Sequence, residues 1–243
     1  LGKQVVSLIY TTLHCIAVFD MSSIEERISE GMMKQEKRAE GIHVTSLTSK
    51  CLRRSAYDRN DPTQSMDMES TIRVWLGRTV HSIQLLNGMF EEPFRYPPDI
   101  CCSIDEWDRG TLLEKKTITF PLDSVSSLVR YYSNYIEQVE YYKSILEFNK
   151  VEVKEVAILL VNIAGNNGDR KVSIHTFSTE SKTKEKKLLL RDEKIVKDEI
   201  EERASVLRKC NVLDPKSLPL RKIGSHCNYC IRFSKCFNGD GVW

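Results

Sequence analysis

Long apolar runs are missing from this chain. No stretch of 18 consecutive apolar residues occurs among its 243, so no transmembrane helix and no membrane partner is expected. An excess of one charge is missing too. Lys and Arg total 36 against 34 Asp and Glu, a net of +2. That excludes a histone-like or polybasic coat and leaves room for a local basic groove. Eight cysteines are too few, at this length, for a small disulfide-built secreted scaffold. Val5 to Phe19 is nearly apolar and follows Lys3, but Val18-Phe19-Asp20-Met21 offers no small-residue cleavage site. A buried helix or strand is expected there, and a cytoplasmic protein overall. Repeats and low-complexity tracts are absent. What is present, 41% apolar and 29% charged residues, is enough to build a sizeable core.

Periodicity outlines the elements. Ser22 or Ser23 is placed to cap a charged helix to about Glu40, and Thr45 to Tyr57 reads as a second, short helix. Met68, Ile72, Trp75, Leu76, Val80 and Ile83 recur at helical steps, which predicts a helix over 68–90. Cys101 to Thr119 reads as a β-hairpin around Asp108-Arg109-Gly110-Thr111. Val125, Leu128, Tyr132, Tyr135, Val139, Tyr142 and Leu146 predict one long amphipathic helix. The apolar run 156–164 reads as a strand buried on both faces, turned by Gly165-Asn166-Asn167-Gly168 into a strand over 171–177. A charged helix over 187–209 should turn Val196, Ile200 and Leu207 inward, and a loop-like tail follows.

The hairpin carries the clearest chemistry. If Arg109-Gly110 is a two-residue turn, 108 pairs with 111, 107 with 112, and 105 with 114. Asp105 and Glu114 then face each other, and Lys116 shares their face. Opposed carboxylates destabilise a sheet unless something binds between them. A hard divalent cation, magnesium or manganese, would do so, and the lysine could position a water or steady phosphate charge. An ordinary solvent-facing charged strand is the alternative. Asp108 is a second candidate aspartate, but the same register sets it opposite Thr111.

His81 lies four residues after Gly77, whose missing side chain would let another backbone or a DNA strand approach. Packing alone also accounts for a lone histidine. Gln138 and Tyr142 are again four apart; the tyrosine either fills the core or offers its hydroxyl to a sugar, base or phosphate. Cys227-Asn228-Tyr229-Cys230, followed by Cys236, suits zinc or an iron–sulfur cluster. Cys51, beside Arg53 and Arg54, is the best fourth ligand, with His226 as a weaker one. Cys15, Cys101, Cys102 and Cys210 read as core or incidental thiols. Lys50, Arg53, Arg54, Arg221 and Lys222 flank the cysteines, either as phosphate contacts or as a solvated surface.

Taken in order, Cys51 with its arginines, Gly-x3-His, D…ExK, Gln-x3-Tyr and C-x2-C-x5-C resemble the CRISPR-associated RecB-like exonuclease family (the Cas-four type) of the PD-(D/E)XK nuclease superfamily. The resemblance spans about residues 42–236. It implies an α/β core, a small mixed sheet flanked by helices, with a cluster lobe joining the N- and C-terminal segments. It divides the chain into an extension over 1–41, a nuclease core over 42–210 and a cysteine segment over 211–243. His81, Asp105 and Glu114, with the backbone carbonyl of Lys115, would hold Mn2+ or Mg2+. Lys116 would be the catalytic lysine, with Gln138 and Tyr142 as the Gln–Tyr motif. Cys51, Cys227, Cys230 and Cys236 would ligate an iron–sulfur cluster, of the four-iron rather than the two-iron type. Arg53, Arg54 and Tyr142 would contact nucleic acid. The implied activity is metal-dependent cutting of DNA, at single-stranded ends, in spacer acquisition beside CRISPR integrase proteins. Leu52 replaces the family's usual proline, Cys102 or Ser103 its usual glycine, and the Asp105 to Glu114 spacing is short. Two rival readings share these residues. One is a non-catalytic zinc- or cluster-bound module for nucleic acid or a partner. The other is a recombination or repair nuclease, cellular or viral.

Overall fold

The computed structural model describes residues 40–60, 68–119, 125–163, 172–178 and 190–209, with Cys227, Cys230 and Cys236. The expected N-terminal helix, the Gly165–Gly168 turn, and Cys15, Cys210, Arg221, Lys222 and His226 lie outside them. In chain order the elements are β1 (Ile42–His43), α1 (Val44–Leu47), α2 (Leu52–Asn60), α3 (Met68–His81), β2 (Met89–Phe90), β3 (Pro93–Tyr96), β4 (Ile100–Ser103), β5 (Glu106–Asp108), β6 (Thr111–Ile118), α4 (Val125–Tyr131), α5 (Ser133–Phe148), β7 (Glu155–Asn162), β8 (Val172–Ser178) and α6 (Glu193–Lys209). Two compact units partition the chain: residues 1–38 with 65–78, and residues 39–64 with 79–243. Of the first, only part of α3 is described. Its Ile72 and Trp75, part of the expected apolar stripe, are exposed.

The second unit is mixed α/β. Its main sheet runs β2-β5-β6-β7-β8, and a smaller one runs β1-β4-β3. Strands β6 and β7 pair in parallel, from Thr111 opposite Glu155 to Ile118 opposite Asn162; β7 and β8 pair antiparallel. Strand β7 is therefore an interior strand, flanked on both sides, which explains its unbroken Val156-Ala157-Ile158-Leu159-Leu160 run. Its even positions join the main core with Leu112 and Ile118 of β6, while Leu113, Ala157 and Leu159 form a small cluster on the other face. Helix α5 packs on β3, β6 and α6, and buries Val139, Tyr141, Tyr142, Ile145 and Leu146. Each fully buried aliphatic side chain of this kind contributes about 1.5–3 kcal/mol. Helix α6 buries Val196, Ile200, Ala204 and Leu207. Its Arg203 donates to the Leu47 carbonyl at 2.7 Å and ties α6 to α1.

Several expected boundaries shift. The Thr45–Tyr57 helix is two helices, broken where Ser49 Oγ accepts the Cys51 amide at 3.3 Å and the Cys51 carbonyl starts α2 by accepting the Ser55 amide. Cys51 thus stands at the α2 N-terminus. The long helix expected over 125–146 divides at Tyr132, whose φ of −131° is not helical. Helix α3 stops at His81, not at 90. Gly88 follows so close to β5 that a Cβ there would lie 2.0 Å from the Trp107 carbonyl oxygen, which excludes every other residue. The hairpin keeps the expected register, with Asp108 opposite Thr111, Trp107 opposite Leu112 and Glu106 opposite Leu113. Arg109 and Gly110 both have positive φ, 50° and 94°, as a two-residue primed turn requires. Pairing ends at Glu106. Asp105 lies in the bend leading from β4, which belongs to the other sheet.

Candidate functional site

Strand alternation decides which side chains meet. Glu114 and Lys116 are two apart on β6 and point to the main-core face, under α5. Lys116 Nζ pairs with Glu114 Oε1 at 2.5 Å. Gln138, one turn before Tyr142 on α5, donates from Nε2 to the same Oε1 at 2.8 Å and to the Tyr142 hydroxyl oxygen at 2.6 Å. Glu114 is 1% exposed, and its second oxygen, Oε2, is buried with no hydrogen-bond partner. A buried carboxylate oxygen without a partner is costly.

Asp105 approaches from the bend. Its Oδ2 accepts the Lys115 amide at 2.6 Å, and its Oδ1 lies 2.7 Å from His81 Nδ1. Burial works against the Asp105 charge, but the hydrogen bond and charge of His81, the Lys116 ammonium and the Lys115 amide together hold its carboxyl below the ordinary value. An ionised carboxylate only accepts, so Nδ1 of His81 carries the shared proton. Glu114 goes the other way. Burial pushes its carboxyl up to about 7, with Lys116 opposing and Asp105 adding to the rise. Burial also disfavours the Lys116 charge, yet Glu114 and Asp105 raise it above its ordinary value. The Tyr142 phenol is pushed well up by burial and by the nearby Glu114, so it stays neutral.

Three of these groups, His81, Lys116 and Gln138, border a cavity of about 480 Å³, with Asp105, Glu114 and Tyr142 behind them. His81, Lys116, Thr117, Asn134, Tyr135 and Gln138 line one part of it; Lys50, Cys51, Arg54, Cys227, Cys230 and Cys236 line another. The four cysteines, with Cys227 lying 176 positions after Cys51, therefore share one space. None is in a disulfide. Burial raises the Cys236 thiol, as do the neighbouring Cys51 and Cys230, while Arg53 beside it acts in the opposite sense. Arg53 is buried at this spot, whereas Arg54 opens onto the cavity and pairs loosely with Asp58 at 3.5 Å.

The expected residues thus divide by place. His81, Asp105, Glu114, Lys116 and Gln138 converge. Tyr142 stands behind Gln138 in the core, with its hydroxyl held by that side chain. Asp108 lies away from the group, opposite Thr111 and beside Arg109. The Lys115 side chain points to the opposite face of β6, where it pairs with Glu106 at 2.9 Å. Glu106 was missed from the sequence; the even–odd alternation of β6 was the signal for a partner facing Lys115. Cys101 and Cys102 are core thiols as expected, and burial pushes Cys102 up to about 12. Among the described residues, no three His, Cys, Asp or Glu side chains are already gathered as a ready metal-ligand group. His81 is spent on Asp105, and one Glu114 oxygen on Lys116 and Gln138. No helix among the described residues is long and apolar enough to cross a membrane.

No protein-family model matches the chain, and no curated protein matches it in sequence. Solved structures do. SSO0001 shares the fold with a TM-score of 0.55 at 14% identity, over 87% of this chain and 93% of that one. An alkaline exonuclease (LHK-Exo) from Laribacter hongkongensis gives 0.40 at 11% identity, over 70% and 86%. A phage-related exonuclease from Haemophilus somnus 129PT gives 0.35 at 12%, over 78% and 79%. The first likeness shows a common fold. The other two are too weak to carry an argument about this chain.

Proposed function

We propose that the chain is a divalent-metal-dependent nuclease that hydrolyses DNA phosphodiester bonds at the Glu114–Lys116 end of its cavity. The observation that carries this reading is the orphaned Oε2 of Glu114, buried beside Asp105, His81 and Lys116. An anionic oxygen with no donor is a natural ligand for a hard cation, and the His81 imidazole beside Asp105 is a further donor type for the same ion. The groups present fit Mg2+ or Mn2+, with Glu114, Asp105 and His81 as ligands and the Lys115 carbonyl as a further one. Lys116 pairs with Glu114 and His81 hydrogen-bonds Asp105, contacts that a bound ion would supplement or replace. Bound there, the cation would supply an activated water and stabilise negative charge on the phosphate. Lys116 offers N–H donors to a phosphate oxygen or to the attacking water. Gln138 holds Glu114 in its rotamer, and Tyr142 holds Gln138. Lys50 and Arg54 give the cavity cations for backbone phosphates.

The cysteine wall fits an iron–sulfur cluster of the four-iron type. Its donors are all sulfur, and a polynuclear cluster ligates each cysteine through a different iron, so the sulfurs need not crowd one point. Arg53 and the α2 N-terminus favour negative charge beside them. The role would be structural, fastening the C-terminal cysteines to α2. Single-stranded ends as substrate, and spacer acquisition with integrase partners as the setting, follow from the sequence resemblance alone.

The test is degradation of end-labelled single-stranded DNA with Mn2+ or Mg2+, with Glu114→Ala run beside the parent. Metal-dependent cutting by the parent alone supports the reading. Equal cutting by a folded Glu114→Ala protein would sink it. For the cysteines, iron and sulfide analysis separates a cluster from zinc. Cys230→Ala should lose the iron and destabilise the chain; unchanged iron content would remove the cluster assignment.

A further inference from the structure

We propose that the buried Lys115–Glu106 pair is a positioning clamp that sets His81 for metal binding, an inference that rests on the metal-site reading above. Both side chains are 0% exposed. Lys115 Nζ donates to the His81 carbonyl at 2.7 Å, to the Ile83 carbonyl at 2.8 Å and to Glu106 Oε1 at 2.9 Å. Glu106 accepts the Leu85 amide at 2.9 Å, and its Oε2 also accepts the Leu86 amide. The ammonium thus takes the carbonyls where α3 ends, and the carboxylate takes the amides that come next. Helix ends leave such carbonyls without partners, and a cation there is favourable.

The consequence falls on His81. Its main chain is held at its own carbonyl by Lys115, while its ring reaches Asp105. Asp105 is itself held by the Lys115 amide. A single residue therefore fixes His81 through its side chain and Asp105 through its main chain. Neither Lys115 Nζ nor Glu106 faces the cavity, since both lie on the opposite side of the sheet from Glu114 and Lys116. They are positioning residues. An apolar pair of similar volume could fill the space as stably, but it could not bind the carbonyls and amides of this turn.

Lys115→Met with Glu106→Gln removes both charges at once and leaves no isolated buried ion; the glutamine oxygen still accepts the Leu85 and Leu86 amides. Mn2+ titration calorimetry on the full chain, with circular dichroism as a fold control, compares the parent, this double variant, His81→Ala and all three changes combined. The expected loss in Mn2+ affinity for the folded double variant is ~10–100-fold, the range for groups that orient a metal-binding histidine. In the His81→Ala background the same two changes should cost nothing further, because they act through that ring. Imidazole NMR should show the hydrogen-bonded His81 Nδ1–H in the parent and its loss in the double variant. Parent-like affinity in the folded double variant overturns the proposal, and so does a loss that multiplies on top of His81→Ala. If the parent binds no Mn2+, the metal-site reading fails; the His81 resonance then judges the clamp, and an unchanged resonance overturns it too. Should the double variant not fold, Glu106→Gln alone carries the same comparison, with about a 10-fold loss expected.

Discussion

The two faces of β6 each bury a carboxylate–lysine pair, and the pairs differ in how fully they are satisfied. On one face Lys115 and Glu106 spend their polar atoms on each other and on the α3–β2 turn. On the other, Glu114 keeps one oxygen without a donor, and its carboxyl is pushed up to about 7. The difference separates architecture from reactivity. A complete network leaves no open oxygen for a ligand, and removing one partner alone damages the fold. An incomplete one costs stability in the free protein, and that cost is recovered when a cation arrives. Lys115 and Lys116 are sequence neighbours, yet the strand's two-residue period gives them unlike tasks.

Exchanging one lysine at a time breaks the comparison most sharply. Lys116→Met should lower DNA cutting by at least about 10²–10³-fold, the loss typical of deleting one charge-stabilising donor from an active site. Its cost in stability should be small, because Glu114 can take a proton near neutrality. Lys115→Met should do the reverse to the fold. Stranding Glu106 without its cation costs about 3–5 kcal/mol, read as a lower urea midpoint. Equal destabilisation by the two single variants would show that the faces do not differ as described.

Much of this contrast was legible in the sequence, and the rest was not for identifiable reasons. The Arg109-Gly110 turn set the register, and the register set Glu114 and Lys116 on one face. Asp105 was expected as a paired strand residue. It lies instead in a bend, because the chain there passes from the small sheet to the large one. Its contact with the site comes through the Lys115 amide, not across a ladder. Helix α3 was expected to continue to Phe90, since Ile83 extends its apolar stripe. The stop depends on Lys115 and Glu106 capturing the turn from another strand, and on Gly88 lying against β5. Those are tertiary contacts that no local pattern contains. Sharing of one cavity by Cys51 and the C-terminal cysteines was expected from their residue types, whereas burial of Arg53 among them was not.

A smaller effect follows from the acidity of Glu114. Its carboxyl in the folded chain is raised to about 7 from an ordinary 4.5. Between those values the folded chain holds a proton that the unfolded chain releases. Stability from this group is therefore full below about pH 4.5, declines as pH rises, and levels off above about 7, a loss of a few kcal/mol at most. Glu114→Gln should remove that slope. A divalent cation competes with the same proton, so the rise in thermal midpoint on adding Mg2+ should be larger at pH 8 than at pH 5. A rise independent of pH would place the ion elsewhere.

The smallest expected effect tests how far the incomplete network extends. Tyr142 does not line the cavity; its hydroxyl is held by Gln138, and Gln138 holds Glu114. Tyr142→Phe keeps the ring in the core and removes one hydrogen-bond partner, which should cost about 0.5–1.5 kcal/mol in stability. Cutting should fall by less than tenfold, through a looser Glu114, with the substrate KM unchanged. If instead KM rises while kcat holds, the hydroxyl meets the nucleic acid itself. The boundary between the reacting groups and their support would then lie one residue deeper into α5 than the hydrogen bonds draw it.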